Sequence, residues 1–172
     1  FEETLSQQEV ADFINQLAAD GTQLGAEQAY QVAAEKVRQF PHCHTLLLNA
    51  ALVLDGLFVM AKDAKAGPDH SAEIEDWYHR AAQSEDVALQ NQAKAQLASR
   101  YMQRKEYEKA QALLDSLPPE PLFDKRQMQA ALYAQQGNWQ EAAKLTETGL
   151  LQDAAHIQTA LLTLMEVAHQ EH

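Results

Sequence analysis

His42-Cys43-His44 is the run of side chains best equipped for chemistry, because imidazole nitrogens and a thiolate sulfur are zinc ligands. Adjacent side chains at a helix start point in different directions, however, and the chain holds no CxxC or HExxH partner for them. Glu75 and His79 stand four apart on one helix face, yet a pair at that spacing is ordinarily a surface contact. A structural zinc site needs four ligands, so neither group is assigned a metal and no cofactor is expected. Cys43 follows Pro41-His42 near a helix start, where a thiolate could be favoured. An inert thiol is the simpler reading. Gly-rich phosphate loops, nucleophile elbows and paired-carboxylate motifs do not occur, and the chain is read as a non-enzyme.

The charge balance narrows the partners. Thirteen Lys and Arg stand against 25 Asp and Glu, for a net charge of −12. A phosphate-neutralising surface needs a basic block, which is absent, so direct contact with nucleic acid or an anionic membrane is not expected. The longest apolar run, Thr45 to Met60, is broken by Asn49, Asp55 and Gly56. It falls short of the roughly 20 residues of a membrane span. A lone cysteine suits a cytoplasmic protein. The chain begins at Phe1 rather than Met and is expected to be a piece of a longer one.

The elements that would position any site are helices. Ala, Leu and Gln dominate while Gly, Pro and β-branched residues are scarce, a bias that favours helix almost everywhere. Ser6 and Glu9 have capping-box spacing, and Val10, Phe13, Ile14 and Leu17 form one apolar stripe after them. Gly21 and Gly25 are expected to punctuate the following turn. Further helices are expected over 26–40, ended by Pro41, and over 43–61, 71–84, 86–104, 107–116, 124–136 and 139–150. Lys62 to His70 reads as a loop and Pro118-Pro119-Glu120-Pro121 as a corner. A last helix, about 153–170, carries Ile157, Leu161, Leu164 and Ala168. Trp77 and Tyr78 are adjacent, so one of them is expected to border a groove or an interface.

The fifth and sixth helices match the seventh and eighth at an offset of 32 residues. Ala98 falls on Ala130, Tyr101 on Tyr133, Gln103 on Gln135, Tyr107 on Trp139 and Ala110 on Ala142. A fixed period of this size marks stacked helix pairs, with small residues where helices approach and aromatics filling the wedge beside them. The order of small residue, aromatic, turn, aromatic and alanine resembles the tetratricopeptide repeat family, best over about 87–118 and 119–150. Lys105 sits where that family commonly has a turn Gly, and Lys94 and Arg126 hold its first-helix Trp position. The resemblance implies an all-α, tetratricopeptide-like right-handed superhelix of about four helix pairs plus a C-terminal capping helix, in a single domain over 1–172.

A second resemblance covers Tyr78–Asp86, Ala110–Pro118 and Phe123–Gln127. These stretches are similar to the C-terminal half of bacterial helix-turn-helix regulators, whose tetratricopeptide-like region senses a ligand or peptide and mediates self-association. It implies a DNA-reading domain before Phe1, a peptide or protein partner, and a homodimer as one mode of action. The rival reading is a stand-alone cytoplasmic scaffold. In the tetratricopeptide family the first helix of each pair lines the concave face. That geometry places Gln92, Ser99, Met102 and Gln103, with Gln127, Ala131 and Gln135 from the next pair, on the inner wall. Gln amides can donate and accept to a peptide backbone, and Met adapts to irregular shapes. Ile157, Leu161, Leu164 and Ala168 are assigned to a capping face or a dimer seam.

Overall fold

The computed structural model describes residues 4–61, 69–118, 125–152 and 164–170, with the backbone alone over 125–127 and 146–152. The protein is all-α. Its helices are α1 (Gln7–Leu24), α2 (Ala26–Gln39), α3 (His44–Met60), α4 (Ser71–Ala81), α5 (Val87–Gln103), α6 (Tyr107–Asp115), α7 (Lys125–Gln135) and α8 (Trp139–Gln152). Residues 164–170 are also helical, and there is no strand among the described residues. No helix is long and apolar enough to cross a membrane, among the same residues. The contacts group into two compact units, 1–93 and 94–172.

In the first unit, α1 starts at a complete capping box. The Ser6 hydroxyl accepts from the Glu9 N–H at 3.2 Å, and the Glu9 carboxylate accepts from the Ser6 N–H at 2.8 Å. Two orphan donors of the first turn are thereby satisfied. The turn after α1 is one residue, Gly25, at φ 99°, a left-handed conformation that L side chains rarely adopt. Gly21 does not punctuate this turn; it lies inside α1 and is buried. A Cβ there would stand 2.2 Å from a Leu57 methyl, so the missing side chain is what lets α1 approach α3.

Buried alanines do similar work on α2, where Ala29, Ala33 and Ala34 are at or near zero exposure. Leu46, Leu47 and Leu48 are all buried although consecutive residues point in different directions. Contacts to α1, α2 and α4 surround α3 and account for this, as expected of a helix apolar all round. Each fully buried Leu contributes roughly 1.5–3 kcal/mol.

The expectation for Trp77 and Tyr78 is corrected: both are buried, at 1% and 0% exposure. The Trp77 ring stacks toward Tyr30 of α2 at 6.3 Å between centroids, while the Tyr78 hydroxyl donates to Asp55 of α3 at 2.7 Å. Helix α4 therefore has core on two sides, and neither ring is left for a groove.

The second unit contains most of α5 together with α6, α7 and α8. Its buried residues include Leu97, Ala98 and Tyr101 on α5, Ala110 and Leu114 on α6, Ala130 and Leu132 on α7, and Ala142 on α8. Helices α6 and α7 run antiparallel. The Tyr107 hydroxyl at the start of α6 donates to the Gln135 carbonyl at the end of α7, at 3.2 Å. Further along, Gln111 and Gln129 exchange two amide hydrogen bonds of 2.9 and 2.7 Å. The helical stretch 164–170 is anchored by Val167, which clusters with Ala134 and Ala142, with Tyr133 and Trp139 packed alongside.

Candidate partner-binding surfaces

The α5–α6 and α7–α8 turns are built from the same hydrogen bonds. In the first, the N–H groups of Lys105 and Glu106 donate to the carbonyls of Met102 and Tyr101 at 3.0 and 2.9 Å. In the second, Gly137 and Asn138 donate to Ala134 and Tyr133 at 3.0 and 2.8 Å. Both are Schellman closures, and both put the residue after the helix in the left-handed region, Lys105 at φ 63° and Gly137 at φ 79°. For a glycine this conformation is free of strain; for a lysine it costs about 1–2 kcal/mol.

The residues expected on an inner wall fall as follows. Gln92 is exposed and belongs to the first unit. In the second unit, Ser99 is half-buried, Gln103 and Gln135 are exposed, and Ala131 is half-buried. Met102 is only 7% exposed, so its thioether packs in the core, and the Lys105 N–H is bonded to its carbonyl. The side chain of Gln127 lies outside the described residues, as do Ile157 and Leu161. Leu164 is half-buried and Ala168 exposed; the residue of that stretch that enters the core is Val167.

Cys43 is a half-buried free thiol at the N-cap of α3. The His79 ring stands 3.8 Å from the Glu75 carboxylate. Among the described residues no group of three His, Cys, Asp or Glu is placed to hold a metal ion.

A polar clasp that the spacing of the sequence does not announce joins α2 to the start of α4. The rings of Tyr30 and His70 lie 3.4 Å apart and 13° from parallel. His70 Nε2 lies 2.7 Å from the Glu27 carboxylate, and the Tyr30 hydroxyl donates to Glu73. Each helix supplies one ring and one carboxylate, and each ring bonds the other helix's carboxylate. The Phe58 ring of α3 lies 5.9 Å from the His70 ring, tilted 46° to it. Burial, then the hydrogen bond to Glu73, pushes the Tyr30 phenol up to about 12. It therefore remains a donor at neutral pH. Hydrogen bonds from Gln31 and His70 hold the Glu27 carboxyl below its ordinary value. The cluster's evident work is to fasten the entrance of α4 to α2.

Two further features remain, one in each unit. An open cleft of about 460 Å³ is lined by Phe13 and, from α2, by Gln31, Val32, Glu35 and Lys36 among others. The Lys36 ammonium stands over Phe13 and Phe40, at 5.5 and 5.1 Å from the ring centroids. At the α5–α6 turn, Arg104 and Lys109 both stand over the Tyr101 ring, at 5.2 and 5.5 Å. Glu106 binds both cations, Arg104 at 2.7 Å. The Lys109 hydrogen bond is the main reason that the Glu106 carboxyl sits below, and the Lys109 ammonium above, its usual range. No family model, curated protein or solved structure matches this chain.

Proposed function

We propose that this chain is a partner-binding module built from tetratricopeptide-like helix pairs, serving as the peptide-sensing or dimerising part of a helix-turn-helix transcriptional regulator. The observation that carries the first half is the pair of matching closures at Lys105 and Gly137, 32 residues apart. Same-sequence matches can arise by composition alone; shared hydrogen bonds at the matched positions add a structural likeness to the sequence one and so support a repeated unit. The regulator assignment rests on the sequence resemblance of 78–86, 110–118 and 123–127, and on an acidic charge that leaves DNA contact to another domain.

The partner would lie along the first helix of each pair, over Ser99, Gln103, Ala131 and Gln135. Exposed glutamines next to small side chains leave a peptide backbone room to approach and hydrogen bonds to make. The test is selection of binders from a random peptide library, followed by assay against Gln103→Arg and Gln135→Arg, both at exposed positions that should leave folding intact. Loss of binding in both variants supports the reading. Binders indifferent to both, or no binders, contradict it.

Dimerisation is favoured by one specific feature: in the 164–170 stretch Met165 is 67% exposed while Val167 is buried. A solution mass near twice 19.2 kDa that falls in Met165→Glu would assign the self-association to that face.

A further inference from the structure

We infer that the α5–α6 turn is a docking surface for an acidic peptide segment, read by Arg104, Lys105 and Lys109. The inference extends the proposed function to a surface away from the inner wall and names the chemistry of the partner that would use it.

The argument rests on comparing two turns that share one backbone. At the α7–α8 turn the positions equivalent to Arg104, Lys105, Glu106 and Lys109 hold Gln136, Gly137, Asn138 and Glu141. That turn closes with the same hydrogen bonds and no cation. The fold therefore does not need the three cations. At Lys105 it is opposed to one of them, because φ 63° favours the glycine present at the other turn. A strained residue that the local structure does not ask for points to work outside the fold.

The placement fits that work. Lys105 is exposed, and the side chains of Arg104 and Lys109 are 43% and 64% exposed. The Tyr101 ring supports both Arg104 and Lys109, so the two are pre-positioned rather than free to wander. Glu106 is shared between them, and Glu108 adds one further carboxylate in the same segment. Arg100 lies one turn earlier on α5. Between residues 100 and 109 the chain thus carries four cations against two carboxylates. Residues 1–93 carry 15 acids against five Lys and Arg.

The occupant is an acidic peptide rather than a nucleic acid. A nucleic acid backbone presents a dense, extended row of charge and needs a track of cations along it. Here three exposed cations share one short turn, two of them over one ring. The chain's net −12 opposes a long polyanion, whereas a short peptide feels only what lies within a Debye length, about 8 Å at physiological salt.

The experiment uses the full chain and a fluorescein-labelled decapeptide alternating Glu and Ser, read by fluorescence anisotropy at about 50 mM and about 500 mM salt. The expected result is saturable binding at low salt, lost at high salt. Each of Arg104→Gln, Lys105→Gly and Lys109→Gln should weaken it about two- to fivefold, and the triple variant by more than tenfold. Lys105→Gly also removes the backbone strain, so weaker binding should come with a higher Tm, which a merely unfolded variant could not give. Peptide binding unchanged in the triple variant, or absent from the parent chain, overturns the inference. So does tighter binding of a ten-nucleotide single strand at both salt concentrations. The charge-neutral variants Gln103→Ala and Gln135→Ala, which add no cation near the turn, should leave this binding unaltered, so its failure is separable from failure of the inner-wall reading.

Discussion

The His70 ring lies flat on the Tyr30 ring, 3.4 Å between centroids, although 40 residues and the whole of α3 separate them in the chain. Their crossed bonds to Glu27 and Glu73 make this the main polar fastening between α2 and α4 among the described residues. Tyr30→Phe keeps the stack and deletes the bond to Glu73. It is expected to lower unfolding stability by about 1 kcal/mol in urea titrations, with unchanged m-value.

The same phenol sets an alkaline limb. Its folded-state value, about 12, lies above the ordinary 10.0, so the folded state holds this proton longer than the unfolded chain. The contribution is fully present below pH 10 and is lost as pH rises towards 12. In ultraviolet titration Tyr30 should ionise late, and the late-ionising absorbance should fall by one tyrosine's share in Tyr30→Phe.

At the acid end the sign reverses. Gln31 and His70 hold the Glu27 carboxyl below 4.5, so its contribution is present above that pH and is lost as pH falls below it. Glu27→Gln should flatten the stability-against-pH curve in this window. A curve that stays as steep as that of the parent would remove Glu27 from the clasp.

Two glycines inside helices should respond in opposite directions. Gly56 on α3 has open space where a Cβ would go, and Gly56→Ala is expected to add roughly 0.5–1 kcal/mol. Gly21→Ala must displace Leu57 from a 2.2 Å overlap and is expected to lose about 1–3 kcal/mol. The double variant Gly21→Ala/Leu57→Ala should recover part of the clash energy. Thermal unfolding by circular dichroism reads all three.

The matched turns supply a reciprocal pair. Gly137→Ala forces a Cβ into φ 79° and should lose about 1 kcal/mol, while Lys105→Gly should gain up to that amount. If both changes were neutral, the left-handed position would cost a side chain nothing at either turn.

Local signals carried most of the helix reading. The Ser6–Glu9 box and the apolar stripe of α1 involve residues close in sequence, and each has its counterpart in the structure. Tertiary context decided the rest. Gly21 looks like punctuation in a sequence, and only the approach of Leu57 explains a glycine within a helix. Trp77 and Tyr78 share no face, so a sequence reading with one core must expose one of them; a helix with neighbours on two sides buries both. Met102, chosen for the inner wall, is 7% exposed, as buried as its neighbour Tyr101 at 8%, and sequence spacing alone could not show that both are covered. The clasp had a faint signal: Glu27–Tyr30 and His70–Glu73 each pair a ring and a carboxylate three apart on a helix or at its cap. Nothing in either pair names the other.

The most direct test of the central claim is hydrogen–deuterium exchange of the full chain with and without a library-selected peptide. Protection confined to α5 and α7, centred on Ser99–Gln103 and Ala131–Gln135, is the result expected of a module that binds along the first helix of each pair. Protection confined to α1–α4, or to α6 and α8, would contradict it.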